Sequence, residues 1–172
     1  MKFDSLCVIG MGYLGLPTAS IFASNGLQVT GMDINKEIIA GLQAGKVHIF
    51  EPGLREAVQN ALNAGHLDIA SEVKPADAFI IAVPTPFYED KRADMRAVIA
   101  ACESILPHLQ PGNLVILEST SPPRTTIDIV APILEKSGLK AGEDFMLAYS
   151  PERVLPGQIL TELVDNPRVI GG

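Results

Sequence analysis

Glycines 10, 12 and 15 of the run Gly10-Met11-Gly12-Tyr13-Leu14-Gly15 have the spacing of a turn that lays bare backbone against a phosphate group. The run follows the apolar stretch Leu6-Cys7-Val8-Ile9 and precedes a glycine-free stretch, up to Gly26, that can be helical. In that setting Gly10 supplies the tight strand-to-helix turn. Gly12 removes a Cβ that would block a pyrophosphate, and Gly15 lets the helix pack close to the strand. The helix then presents its free N–H groups and the positive end of its dipole to the anion. A second apolar run, 27–32, ends on Asp33, 18 residues after Gly15. That is the place of a carboxylate that accepts from the ribose hydroxyls of a dinucleotide. Its charge would repel a 2′-phosphate, so the pattern points to NAD rather than NADP, with Lys36 beside it a small counterweight.

The elements that must hold these residues follow from the rest of the chain. Its 172 residues, 47% of them hydrophobic, fit one domain with a sizeable core, taken as 1–172. No apolar run reaches the roughly 20 residues needed to cross a bilayer, and the first residues lead straight into a strand, so a cytoplasmic protein is expected. The net charge of −7 disfavours nucleic acid and membrane surfaces as partners. An anionic nucleotide must then be held by local groups: helix N-termini, backbone amides, and arginines such as Arg153. Cys7 and Cys102 have neither metal-ligand nor disulfide spacing and read as buried packing residues.

Apolar runs alternate with amphipathic stretches, which predicts an α/β fold, a Rossmann-type doubly wound parallel sheet with helices on both faces. Strands are expected near 3–9, 27–33, 67–70, 78–83, 113–118 and 145–149. Helices fit 14–25, 36–44, 53–64, 94–109 and 124–137. Asn25-Gly26 and Ser137-Gly138 are suitable helix ends, and Asp94 is a fair N-cap. Prolines gather at strand ends, in Val83-Pro84-Thr85-Pro86, Glu118-Ser119-Thr120-Ser121-Pro122-Pro123 and Ser150-Pro151-Glu152-Arg153. Proline stops a strand, and ligands on open parallel sheets bind beyond the carboxyl ends of strands, so these loops read as walls of a cleft.

The ordered set GMGYLGLP at 10–17, Asp33, EPGL at 51–54, VPTP at 83–86, ESTSPP at 118–123 and SPERVLPG at 150–157 resembles the UDP-glucose/GDP-mannose dehydrogenases. Within that family, HIFEPGL, AVPTPF and PERVLPGQ are similar to the bacterial branch acting on UDP-N-acetyl-D-mannosamine. The resemblance implies oxidation of the C6 alcohol of a UDP-sugar to a carboxylate in two NAD-dependent steps, through a thiohemiacetal and a thioester on a cysteine. It implies that Tyr13 and Leu14 meet the pyrophosphate from the backbone, that Asp33 holds the adenine ribose, and that Thr85 and Thr126 line the NAD path. Thr120 resembles the threonine that positions a water, and Glu152 the carboxylate that manages protons during thioester hydrolysis. Arg153, Val154 and Leu155 match the segment lying along the nucleotide sugar. Taken alone, Thr120 could close a turn, Glu152 pair with Arg153 at the surface, and Thr126 cap a helix.

Two departures stand out. Arg124 occupies a position where many relatives have glycine. Members of the family also continue into a central helix, through which they form homodimers, and a second domain that supplies the nucleophilic cysteine. This chain is therefore expected to be the NAD-binding domain alone, able to bind but not to turn over, and possible as a monomer. Its last residues, Val169-Ile170-Gly171-Gly172, read as an apolar strand and a cut. A stand-alone NAD-binding regulatory domain, or another dehydrogenase such as one for UDP-glucose, remains open on the sequence.

Overall fold

A computed structural model describes residues 3–151 and 153–172. Six apolar runs form strands: β1 (Ser5–Ile9), β2 (Gln28–Met32), β3 (Leu67–Ala70), β4 (Ala78–Ile81), β5 (Leu114–Leu117) and β6 (Met146–Tyr149). They make one sheet in the order β3-β2-β1-β4-β5-β6, every neighbouring pair parallel. Parallel neighbours need long crossovers, whose helices cover the sheet; strands buried on both faces read as unbroken apolar runs. The order reverses between β1 and β4, which leaves a crevice at the carboxyl ends of those two strands.

Alternation along β1 sends side chains into two cores. Leu6 and Val8 pack with Val29 and Ile80 beneath α1 (Gly15–Ser24) and α3 (Leu54–Asn63). Cys7 and Ile9 pack with Phe79, Ile81, Val115 and Leu117 against α4 (Arg96–Ile105) and α5 (Ala131–Leu134). α1 is buried along most of its length, so tertiary packing sets its stability rather than an amphipathic face. Burying a side chain such as Leu16, fully enclosed here, contributes about 1.5–3 kcal/mol. Pro17 is tolerated because it lies in the first turn, where an N–H has no partner within the helix. α2 (Lys36–Gln43) begins under the Asn35 side chain, which accepts from the Glu37 N–H at 2.9 Å.

The strands lie where the sequence puts them, β3 at the expected bounds and the others one or two residues shorter. Three helical regions differ. The stretch expected as 94–109 is helical from Arg96 to Ile105 and then tightens into a 3₁₀ turn, Leu106–His108, around Pro107. Asp94 lies one residue outside the N-cap, Met95. Its carboxylate accepts from the Arg96 guanidinium at 2.6 Å and the Arg96 N–H at 3.0 Å, which holds it well below the usual carboxylate range. The stretch expected as one helix over 124–137 is three pieces: a π-helical segment Thr126–Val130, α5, and a 3₁₀ turn Glu135–Ser137. Arg124 is the cause at its start, since its φ of +71° is incompatible with a helix. The third is α6 (Ile159–Asp165), a helix the sequence reading lacks. The apolar strand expected at 169–172 is a single antiparallel bridge from Gly171 to Tyr149.

The left-handed backbone at Arg124 explains why glycine suits this position, and the ion pair to Asp128 at 2.8 Å, exposed on both sides, offsets little of the strain. Arg124→Gly is expected to raise the melting temperature by about 2 °C in a calorimetric scan. A fall would show that the ion pair outweighs the strain.

Candidate functional site

The turn between β1 and α1 is built by exclusion. A Cβ on Gly10, whose φ is +98°, would lie 2.6 Å from the Ala82 carbonyl oxygen, and one on Gly15 would collide with the carbonyl oxygen of Gly10. The helix start is thereby pressed against the end of β1. A Cβ on Gly12 would meet no protein atom within 4 Å, so the space beside it is left for something other than the chain. Met11 is folded under the turn and fully buried, in room made by Gly31, where a Cβ would run into the Met11 sulfur. The Gly10 N–H donates to the Met32 carbonyl at 2.7 Å. Among the described residues the amides of Gly12, Tyr13, Leu14 and Gly15 find no acceptor, as expected of a helix N-terminus.

Asp33 stands at the end of β2 and locks this turn. Its Oδ2 accepts from the Met11 N–H at 2.8 Å and its Oδ1 from the Asn35 N–H at 2.8 Å. A carboxylate offers about four acceptor positions, so capacity is left at the half-buried Asp33 for two hydroxyl donors. Gly10 and Asp33 share a crevice of about 180 Å³ with Ile34, Val83, Pro84 and Ala97. A wider hollow of about 480 Å³ adjoins it through Met32 and Ser104. Free amides, a bare glycine and a carboxylate with spare acceptor positions on an apolar crevice fit a dinucleotide: pyrophosphate at the turn, ribose at the acid, base between apolar walls.

The sequence reading missed part of this crevice. Ile34 is 87% exposed directly after the acid, an apolar side chain held out where a flat base would lie. α4 turns Ala97, Ala100, Ala101 and Ser104 toward the crevice. Their spacing of three and four residues was a readable signal, because small side chains on one helix face leave a hollow.

Hydroxyl groups tie the next loops together. The Thr85 hydroxyl donates to the Thr120 carbonyl at 2.6 Å, and the Ser119 hydroxyl to the Val83 carbonyl at 2.8 Å. Thr120 is left exposed at the end of β5. Below it Glu118 is buried, receiving the Thr18 hydroxyl at 3.3 Å and paired with Arg168 at 3.4 Å. Lys36 is the exposed first residue of α2 and does not line the Gly10–Asp33 crevice. Thr126 lines a different hollow, with Arg124, Ile127 and Tyr149. Arg153 reaches the Pro167 carbonyl at 3.2 Å, Leu155 is 60% exposed and Val154 half-buried. Glu152 lies outside the described residues.

Neither cysteine can act here. Cys7 and Cys102 are fully buried, and burial pushes both thiols up, Cys102 to about 12. Among the described residues no group of His, Cys, Asp and Glu could hold a metal ion, and no helix is long and apolar enough to cross a membrane.

Known proteins share this sequence pattern and this fold. The model of the UDP-glucose/GDP-mannose dehydrogenase family, NAD binding domain, matches residues 4–172. The UDP-N-acetyl-D-mannosamine dehydrogenase of Yersinia pestis is 46% identical over 100% of the chain, which spans 43% of that protein. The NDP-N-acetyl-D-galactosaminuronic acid dehydrogenase of Ralstonia solanacearum is 44% identical over 100% of the chain and 42% of its own length. Among solved structures, the UDP-N-acetyl-mannosamine dehydrogenase of Staphylococcus aureus superposes with a TM-score of 0.95 at 48% identity, covering 98% of the chain and 41% of that protein. The chain thus spans well under half the length of the relatives it matches.

Two glycines of the turn should separate in folding experiments. Gly15→Ala is expected to cost roughly 2–4 kcal/mol in urea unfolding, because backbone must move. Gly12→Ala, with open space and no left-handed φ, should stay within about 0.5 kcal/mol of the unaltered chain. Equal losses at both positions would refute the division of labour.

Proposed function

Because this chain belongs to the UDP-glucose/GDP-mannose dehydrogenase family, we propose that it is the NAD-binding domain of a nucleotide-sugar 6-dehydrogenase whose substrate is UDP-N-acetyl-D-mannosamine. The whole protein carries out a twofold oxidation to the uronate, in the cytoplasm, as a homodimer, toward polysaccharide biosynthesis. The observation that carries the reading is the turn closed by Asp33. One carboxylate both locks the glycine loop through Met11 and keeps acceptor capacity beside an apolar crevice.

Bound NAD supplies the hydride acceptor. The chain's own residues do the rest of the work on this edge. The amides of Gly12, Tyr13 and Leu14 take the pyrophosphate, helped by the dipole of α1. Asp33 accepts from the ribose hydroxyls, and Gly10, Gly15 and Ile34 shape the adenosine pocket. Lys36, exposed at the start of α2 outside the crevice, is a charge counterweight to Asp33. Thr85, through its hydrogen bond to Thr120, fixes the loop that positions a water at the reacting carbon. Thr126 stands farther along the NAD path. Glu152 moves protons during hydrolysis, a general acid/base task, and Arg153, Val154 and Leu155 lie along the nucleotide sugar. The catalytic thiol must come from outside residues 1–172, since both cysteines within them are buried.

Calorimetric titration tests the cofactor assignment. The chain is expected to bind NAD more tightly than NADP, and Asp33→Ala to abolish that preference; equal or reversed preference in the unaltered chain would count against the role of Asp33. Incubated with NAD and UDP-N-acetyl-D-mannosamine, the chain should yield no NADH, and clear turnover would overturn the reading of a domain that binds without turning over.

A further inference from the structure

The EPGL run carries a buried acid that neither the cofactor crevice nor the substrate segment accounts for. Glu51 is 6% exposed, and its carboxylate serves a segment more than a hundred residues away. Its Oε2 accepts from the Gly157 N–H at 2.9 Å and its Oε1 from the Ile159 N–H at 2.8 Å. These are amides at and just before the first turn of α6, where N–H groups lack partners within a helix. The same Oε2 receives the Tyr13 hydroxyl at 3.5 Å. Tyr13 lies in the glycine turn, so one carboxylate joins the β1–α1 turn to the entry of α6.

The segment it holds is itself closed. The Leu155 N–H donates to the Glu162 carboxylate at 2.7 Å, bending 155–162 into one turn-and-helix unit. Ile159 is fully buried and Leu160 packs on the α1 side of the sheet. Gly53, with φ +77°, starts α3 where a Cβ would touch Leu160 at 3.5 Å, so the stretch that carries Glu51 also seats this unit.

We propose that Glu51 is a positioning residue that clamps the 155–159 turn onto the glycine loop, so that Arg153–Leu155 stand at the cofactor edge of the sheet and feel the cofactor's arrival through Tyr13. The inference rests on the reading above that residues 153–155 lie along the substrate. A carboxylate is needed because both partners are donors. A glutamine could accept one of the two amides but would turn its own NH₂ toward the other. The Tyr13 phenol carries the signature of the link: desolvation, the neighbouring Glu51 charge and the hydrogen bond to that carboxylate all raise its pKa.

Amide hydrogen exchange with and without NAD, on this chain, tests the clamp. NAD is expected to slow exchange at 155–160 by about threefold or more, through the link from Tyr13 to Glu51. In Glu51→Gln the same amides should exchange on the order of tenfold faster, and the NAD-dependent slowing should vanish while NAD still binds. The Tyr13 phenol, read by ultraviolet titration against a Tyr13→Phe control, should titrate at lower pH in Glu51→Gln, and retained NAD binding separates that shift from unfolding, which would lower it as well. Exchange at 155–160 that ignores NAD in the unaltered chain overturns the proposal, with no variant needed. So does a Glu51→Gln chain indistinguishable from the unaltered one. If the unaltered chain fails to bind NAD, the reading of its function fails instead, and exchange without NAD in Glu51→Gln still decides whether Glu51 holds the turn.

Discussion

The approach of Gly15 to the carbonyl of Gly10 is the constraint on which the rest of this edge depends. It leaves no room for a side chain at Gly15, as the Ala82 carbonyl leaves none at Gly10, and it forces α1 to begin almost on top of the end of β1. The helix must then point its first amides past the sheet rather than into it. Met11 is driven beneath the turn, which demands glycine at position 31 on the neighbouring strand, and Asp33 at the end of that strand closes the turn through the Met11 amide. One steric fact thereby dictates residue types on two strands and a helix. The same fact leaves the amides without partners, so folding and anion binding are two consequences of one packing choice.

Farther along the sheet edge, order comes from polar groups rather than from close packing. Hydroxyls of Thr85 and Ser119 stitch the loops after β4 and β5, and two buried acids anchor the C-terminal part: Glu118 through Arg168, Glu51 through the entry of α6. Magnitudes separate these from the surface pairs. An exposed pair such as Arg92 with Asp90 contributes little, because water screens it. A buried carboxylate stripped of its donors loses hydrogen bonds of about 1.5–3 kcal/mol each and keeps its desolvation cost. The loops on this side are therefore fixed by a few contacts, each of which must be made.

The sheet and the cofactor turn were legible in the sequence for a physical reason. Strands buried on both faces must be apolar throughout, and a turn that excludes Cβ atoms must show its glycines at fixed spacing. α6 escaped because seven residues with Ile159 and Leu163 inward leave too short a pattern to tell from a loop. The break at 124–126 escaped because one left-handed residue decides it, and arginine does not advertise such a backbone as glycine does. Glu51 escaped for another reason. Its partners are backbone amides at 157 and 159, which carry no side-chain signal, so the acid of the EPGL run could be matched to a family but not to a task.

The placement of the two cysteines completes the argument about what this part of the molecule contributes. Cys7 lies inside β1 and Cys102 inside α4, both on the core that faces away from α1, and both thiols are fully enclosed. A nucleophilic thiol must be exposed and readily ionised, whereas burial drives these the other way. The groups that do reach the carboxyl edge of the sheet are amides, hydroxyls, carboxylates and arginine. Such a set can bind a dinucleotide, hold a water and carry protons, and it has no atom able to form a thioester. What this fold sets out at that edge is the cofactor's side of the chemistry, the bare turn and the acid that closes it.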